Sequence, residues 1–599
     1  MKISDKIIRK TILFIGILFF AFFFIISWVF FKERMLTFDP AFFAFQMIDT
    51  GDYSFALGRW GSVFTQVVPL IALKNNCSLE TFLRLYSISP ILIYSLVFLI
   101  IFLLKNYRAL LVLMLSLSLA FRHAFYYTTA ELYIGIAFTI LLWALIAPER
   151  EYDSKIKKYA AFAAALLLIY TMSYLHQLTI FTILFVLSTE FIGYKKYKNI
   201  QLWMLTIATI VWYFLKIFIF SISEYESDKI PSLSVFVEQL PNLRYLPSTV
   251  YFKTFAQQEL WPLFLIFFIS WILLIKMKQW LYVIFLPSVT MLYLVLILIT
   301  YYKGESPMMY ENYYTVFGVF ATIPFVYILG HYFKTKLQLL IVSIFLAISL
   351  NGIYNAHSVF TKRIEYIGRL VDYGRKQENK KFLINTRNFP WQITWITWGF
   401  PFETALYSAL DGRDSVVTFF TTTDMNAYDS LINKKNIFLG PQWAITSFGS
   451  QNLNKKYFHF PSSGYQKLNS SQADSIFDES IFNKSNILII PEKDVYYPDA
   501  DSFIVAPVLI RNLSGVKLSS TYGESNPVSI SYHIYTIDGV EIVHDGNRIP
   551  LDIDILGDYV QGINVTLPKK SGRYIVEVDF VTENKRWWNI NSSFELAVR

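Results

Sequence analysis

TILFIGILFFAFFFIISWVFF at residues 11–31 leads within four residues into MLTFDPAFFAFQMIDTGDYSFALGRWGSVFTQ at 35–66. The first stretch is long enough to cross a bilayer's hydrocarbon core, which takes roughly 20 apolar residues. It is too long for the apolar core of a signal peptide, and no small-x-small cleavage site follows, so it reads as an uncleaved first span with its N-terminus inside. The second stretch changes character at once. DPAFFAFQMID has apolar residues on one helical face and reads as a short helix lying in the membrane interface. Gly51, Gly58 and Gly61 break it, and SVFTQVVPLIAL returns toward the membrane.

Working outward, the same apolar signal recurs. Of the 599 residues 54% are hydrophobic and only 16% charged, with 55 Phe and 40 Tyr, a composition that marks an integral membrane protein. Apolar windows follow near 82–104, 109–121, 131–147, 158–173, 177–193, 201–222, 260–275, 280–301, 314–330 and 337–353, giving about eleven spans. The third is too short to cross unaided, so it is expected to tilt, extend or re-enter. Lys2, Lys6, Arg9 and Lys10, then Lys105 and Arg108, Arg150 to Lys158, Lys195 to Lys198, Lys276 and Lys278, and Lys334 and Lys336 all fall on alternate short loops. The positive-inside rule makes these loops cytoplasmic and places everything after the last span outside. The intervening outer segments are richer in acids and aromatics. Among them, the proline-bearing loop at 223–259 reads as a surface flap.

Past residue 353 the apolar windows stop. AHSVFTKRIEYIGRLVDYGRK (356–376) has Phe360, Ile364, Ile367 and Val371 at helical spacing, and KKFLI resembles a strand. The 354–495 region reads as a small α+β domain. From 496 to 599, short alternating runs such as VSISYHIYTIDG and GRYIVEVDFV, with turns at Asp538-Gly539 and Asp545-Gly546, read as a β-sandwich. The expected fold is therefore a polytopic α-helical membrane domain over 1–353 followed by these two extracytoplasmic parts.

The lone Cys77 excludes an intramolecular disulfide and a cysteine-rich metal site. The net charge of +9 fits cytoplasmic loops and anionic lipid, and no basic-aromatic cluster points to nucleic acid. There is no P-loop, Rossmann fingerprint, HExxH or GxSxG motif, so nothing suggests use of a nucleotide at the outer face.

Several polar residues beside the spans could carry chemistry, and each has a competing structural role. Asp39, with Asp49, Asp52 and Arg59 behind it, could take a proton from an acceptor hydroxyl or amine. Asp39-Pro40 also looks like a helix start, Asp as N-cap and Pro as first helical residue. In FRHAFYYTTAELYIG, Arg122 could pair with a phosphate and Glu131 could act as a second acid or metal ligand, with His123 beside them. Thr128-x-x-Glu131 equally fits a capping box. His176 lies between two short apolar segments, where an ionisable group is a functional candidate or a headgroup-level turn residue. In YYKGESPMMYENYYTVFG, which also carries the candidate Glu311, Lys303, Tyr310 and Tyr313 could bind a pyrophosphate or phosphate, or form an aromatic belt with a snorkelling lysine.

The layout of residues 1–353 resembles the GT-C superfamily of membrane glycosyltransferases. The resemblance is carried by FDPAFFAFQMIDTGDYSFALGRWGSVFTQVVPLIAL, a long first outer loop with an acid near its start and an interface helix, and by MMYENYYTVFGVFATIPF late in the chain. The acidic pair frequent in that family is here Asp39-Pro40, and the WWDxG signature of oligosaccharyltransferases is missing. The resemblance implies a polyprenyl-phosphate sugar as donor and a glycan, lipid or protein as acceptor. Asp39 would be the catalytic base, and Arg122, His123 or Lys303 would neutralise the leaving phosphate. Any divalent metal would fall to Asp39 and Glu131. ISYHIYTIDGVEIVHDGNRIPL and PKKSGRYIVEVDFVTENKRWW resemble an Ig-like module that contacts an acceptor or acts as a spacer. The competing readings are a lipid-linked glycan transporter or flippase, and a non-catalytic protein of envelope assembly.

Overall fold

The computed structural model describes residues 3–55, 59–147, 152–218, 233–302, 307–386, 394, 396–441, 447–449, 452–469, 472, 487–499, 503–512, 518–520, 528–553, 557–582 and 586–599. They divide into two compact units. One is Met1–Met35 with Phe43–His357, and the other is Leu36–Phe42 with Ser358–Arg599.

The first unit is helical, and each apolar window of the sequence coincides with a helix. Seven helices are long and apolar enough to cross a membrane: Ile8–Val29, Leu79–Leu103, Lys155–Ser173, Ile200–Ile217, Trp280–Thr300, Met309–Tyr332 and the stretch Thr335–Lys376. Tyr107–Leu119, Glu131–Ile146, Thr179–Ile192 and Trp261–Lys276 are apolar but shorter. The chain thus carries helices of the length and composition that suit a membrane protein. Helices start where side chains can take up orphan backbone N–H groups. Ser78 accepts from Thr81 N at 3.2 Å, Asn106 from Ala109 N at 3.1 Å and Ser154 from Lys157 N at 3.3 Å.

The short helix Tyr107–Leu119 is wrapped by its neighbours: from Ala109 to Leu119 every residue is buried. Its shortness is that of a core element, and Ser116 reaches Thr322 of helix Pro307–Tyr332 at 2.8 Å. Outer helices instead turn Phe14, Ile17, Ile25, Ile207, Phe214, Ile284 and Leu292 outward. In water that surface would be a liability, whereas in lipid it has no cost. Arg34 is buried at the end of helix Phe31–Met35. It donates to Ser87 Oγ and Ser87 O, both at 2.9 Å, and to Phe125 O, and lies 4.1 Å over the Phe125 ring.

The region expected as a flap is helical where it is described: Leu233–Gln239, a 3-10 turn at Leu240–Tyr245, and Pro247–Gln258. Pro241 and Pro247 sit in the first two positions of the latter two, where a missing N–H costs nothing, so these prolines start helices and do not break them. Residues 219–232 lie outside the described set.

In the second unit, helix His357–Lys376 buries Phe360, Ile364, Ile367 and Val371 as their spacing predicts. Strand Lys381–Asn385 pairs in parallel with Thr418–Thr422 and Gln466–Lys467, and helix Phe400–Ala409 lies between the first two in sequence. The C-terminal region is β-rich. Strand Gly572–Thr582 lies antiparallel between Val528–Thr536 and Ser592–Val598, and Phe503–Asn512 lies between Gly557–Thr566 and Ile487–Pro491. Alternation decides the buried face. Ile530, Tyr532 and Ile534 stand opposite Phe580, Val578 and Val576, all six almost completely buried. Gly539, at φ +81°, closes the expected Asp538-Gly539 turn.

Candidate functional site

Within the first unit, segment 120–131 carries three of the polar candidates, Arg122, His123 and Glu131. It leaves the buried helix Tyr107–Leu119, makes a 3-10 turn at His123–Tyr126 and enters helix Glu131–Ile146. The turn is shaped by Glu311 from helix Pro307–Tyr332, whose carboxylate accepts from Arg122 N and, at 2.7 Å, from Ala124 N. One carboxyl that accepts from the amides on both sides of His123 anchors the turn in an apolar surround. Glu311 Oε2 also lies 3.8 Å from His123 Nδ1. Both ring nitrogens of His123 are buried without a hydrogen bond. Arg122 reaches Glu259 at 2.8 Å and packs on Gly352. Arg122, His123 and Glu311 therefore meet, and Glu259 joins them. Glu259 gave only a faint signal, an acid one residue before the apolar window at 260–275.

A second polar group lies along the returning loop. Arg59 Nη1 is 3.4 Å from Glu131 Oε2. Glu131 lines a cleft with Ser62, Thr65, Gln66, Tyr86, Thr128 and Thr129, closed on its apolar side by Phe43 and Ile134. The cleft's free volume is about 10 Å³, close to what a single water needs and far short of a small-ligand pocket. Gln66 fastens the loop, donating to Ser54 O at 2.7 Å and accepting from Ser54 N at 2.8 Å. The Thr129 hydroxyl is buried and makes no hydrogen bond.

His176 occupies the turn between helices Lys155–Ser173 and Thr179–Ile192, and Leu178 N donates to its Nδ1 at 3.2 Å. Burial, and then the charges of Arg59 and Lys216, hold its pKa well below the ordinary imidazole value, so it is neutral with its proton on Nε2. The loop touches this turn at Gly61, whose N–H reaches Tyr174 O at 3.4 Å. A Cβ there would lie 2.6 Å from Leu175 Cδ2, and Leu175 is wholly buried. Gly61→Ala should cost about 1–3 kcal/mol by overpacking, read as earlier thermal unfolding of the detergent-solubilised chain. An unchanged transition would show that the loop can yield.

The remaining candidates stand elsewhere. Asp39 is half-buried in the first turn of helix Phe38–Thr50, and that turn belongs to the second unit. The expectation that Asp39 caps this helix is corrected: the helix starts one residue earlier, and Glu403 Oε1 accepts from Phe38 N at 2.7 Å. Glu403 in turn holds Arg363. Nη2 lies 2.9 Å from each carboxylate oxygen and Nε 3.2 Å from Oε2, and both residues are fully buried. Arg363 also donates to Thr394 O and, at 2.7 Å, to Ile396 O, and stands over the Phe38 and Phe400 rings. Asp49 is half-buried further along helix Phe38–Thr50, and Asp52 is exposed, accepting from Tyr53 N at 2.7 Å. Tyr310 stacks on Tyr314 and Tyr313 on Tyr301, with ring planes 11° apart in each pair, and Tyr310, Tyr313 and Tyr314 are buried. Lys303 lies outside the described residues.

No family model matches this chain, and neither does any curated protein or solved structure. Among the described residues two groups have the composition to hold a metal ion, His123 with Glu259 and Glu311, and His533 with Glu541 and His544. Asp39 and Glu131, the expected metal ligands, are in neither.

Proposed function

We propose that the chain is a multi-pass membrane glycosyltransferase of the GT-C kind, which moves a sugar from a polyprenyl-phosphate carrier to a glycan, lipid or protein acceptor. In this reading the apolar helices make about eleven passages into or through the cytoplasmic membrane. The N-terminus is inside, and the α+β and β-sandwich parts are outside, where they meet the acceptor. The observation that supports it best is the meeting of Arg122, His123, Glu259 and Glu311 from three distant segments. Ionisable groups inside an apolar helical unit are costly and are retained mainly for function.

The chemistry is a displacement at the anomeric carbon. The acceptor oxygen or nitrogen loses its proton to Asp39 and forms the new bond to that carbon. The bond to the carrier's phosphate oxygen breaks, and the electron pair leaves with the polyprenyl phosphate. A single step inverts the anomeric configuration. Within the first unit, Arg122 is a residue suited to hold a phosphate, since it can exchange its bond to Glu259 for one to a phosphate oxygen. No step requires a metal, although His123, Glu259 and Glu311 could hold one.

The test is transfer in liposomes holding the purified chain, a polyprenyl-phosphate hexose and a membrane lipid extract as acceptor. The expected result is release of polyprenyl phosphate in step with a glycosylated product. Movement of the intact donor between leaflets, with no bond cleaved, would replace the enzyme by a flippase.

A further inference from the structure

The β-rich end of the second unit gathers two imidazoles and a carboxylate far along the sequence from every candidate discussed above. His533 lies in strand Val528–Thr536 on the side opposite Tyr532 and Ile534. The chain turns at Asp538-Gly539 and returns antiparallel through Glu541–Val543, which brings Glu541 back along that strand, and His544 follows. Gly546 then gives its N–H to Tyr532 O at 2.9 Å, and a Cβ at Gly546 would stand only 2.6 Å from the Tyr532 ring. This close approach, open only to glycine, keeps residue 544 beside the strand.

The three side chains face one another. Glu541 Oε1 is 3.3 Å from His533 Nδ1 and 3.0 Å from His544 Nδ1. A tetrahedron with metal–ligand bonds of about 2.0–2.1 Å has edges of roughly 3.3 Å, so Glu541 Oε1 already stands from each imidazole nitrogen at about the separation an ion would impose, and all three donor atoms lie within 4.8 Å of one another. His533 is 7% exposed, and its Nδ1 is buried and makes no hydrogen bond. A buried imidazole nitrogen that faces a carboxylate at 3.3 Å without bonding to it needs a physical reason. Trp587 packs on the His533 ring at 4.0 Å and Arg548 lies 5.3 Å over Trp587, while Arg548 is itself paired with Asp545, so the imidazole is held from behind. Glu577 stands opposite His533 in the strand register and adds negative potential.

We propose that His533, Glu541 and His544 form a binding site for a divalent transition metal, with Zn²⁺ the ion that the donor set fits best. Two neutral imidazoles and one carboxylate are a zinc donor set. Three protein ligands leave a fourth position, on the side of the largely exposed His544, for water or an outside donor. The ion would tie His544 to the strand and stiffen this corner of the sheet.

The test titrates Co²⁺, as a visible stand-in for Zn²⁺, into the detergent-solubilised full chain and into three variants. His544→Ala and Glu541→Gln alter exposed side chains and should leave the fold intact. His123→Ala removes the other candidate group. The wild type should develop tetrahedral absorption bands that saturate at about one equivalent and are displaced by Zn²⁺. His544→Ala and Glu541→Gln should weaken binding more than about 100-fold, beyond the loss caused by a mere supporting group, and His123→Ala should leave the bands unchanged. Absence of the bands, or their persistence in His544→Ala, would overturn the assignment.

Discussion

Glu403→Ala should destabilise the second unit by about 3–5 kcal/mol, the usual result of removing one member of a buried ion pair. The size follows from what is left behind. Arg363 and Glu403 are both fully buried, and the guanidinium would lose its carboxylate while keeping the Thr394 and Ile396 carbonyls. The Phe38 amide would lose its acceptor as well. Arg363→Met alone should cost a comparable amount, because Glu403 would then be a buried charge with only the Phe38 amide to hold it. The double variant Arg363→Met/Glu403→Leu should recover part of the loss, since no charge remains stranded. It should still fall about 1–3 kcal/mol short of the wild type, because the Phe38 amide and both carbonyls lose partners. Calorimetry on the solubilised chain, followed through the second unit's own transition, reads all three. A Glu403→Ala loss below about 1 kcal/mol would mean that water reaches the pair.

That ion pair also shows where the sequence stops being informative. Membrane helices were legible because lipid demands about 20 consecutive apolar residues, and each such window coincides with a helix. Seven of these helices have the length and composition to cross. The short window at 109–121 was a warning in itself, and Tyr107–Leu119 is a helix whose neighbours enclose it. In the 223–259 loop, Pro241 and Pro247 stand in the first two positions of helical elements, a placement that the count of prolines alone does not reveal. Asp39-Pro40 resembled a capped helix start, but the acceptor for Phe38 N comes from Glu403, 365 positions away. No local pattern encodes such a partner. Arg363 did leave a trace, three residues after Phe360 and four before Ile367 and so on the buried face of helix His357–Lys376. A charge on an apolar stripe implies a buried counter-charge, without saying which acid supplies it. Of the polar candidates, those in segment 122–131 met real partners because that segment joins two buried helices and has little freedom. The tyrosines at 310 and 313 are buried and stacked with other tyrosines, a packing that no local pattern specifies.

Asp39→Asn separates the two roles that this residue can fill. As a base that takes the acceptor's proton, Asp39 should account for about 10²–10⁴ of the transfer rate. Asn is nearly the same size but cannot accept that proton, so kcat should fall by this factor with little change in KM for the donor. As a helix-start residue only, Asp39 contributes its charge near the positive end of helix Phe38–Thr50, worth about 0.3–1 kcal/mol. The amide loses that charge effect, while Glu403 keeps the Phe38 amide bonded. A structural role thus predicts a small loss of stability with transfer intact, and a catalytic role predicts the opposite. Transfer within about threefold of the wild type would remove Asp39 from the chemistry and leave it as one charge at the start of a helix.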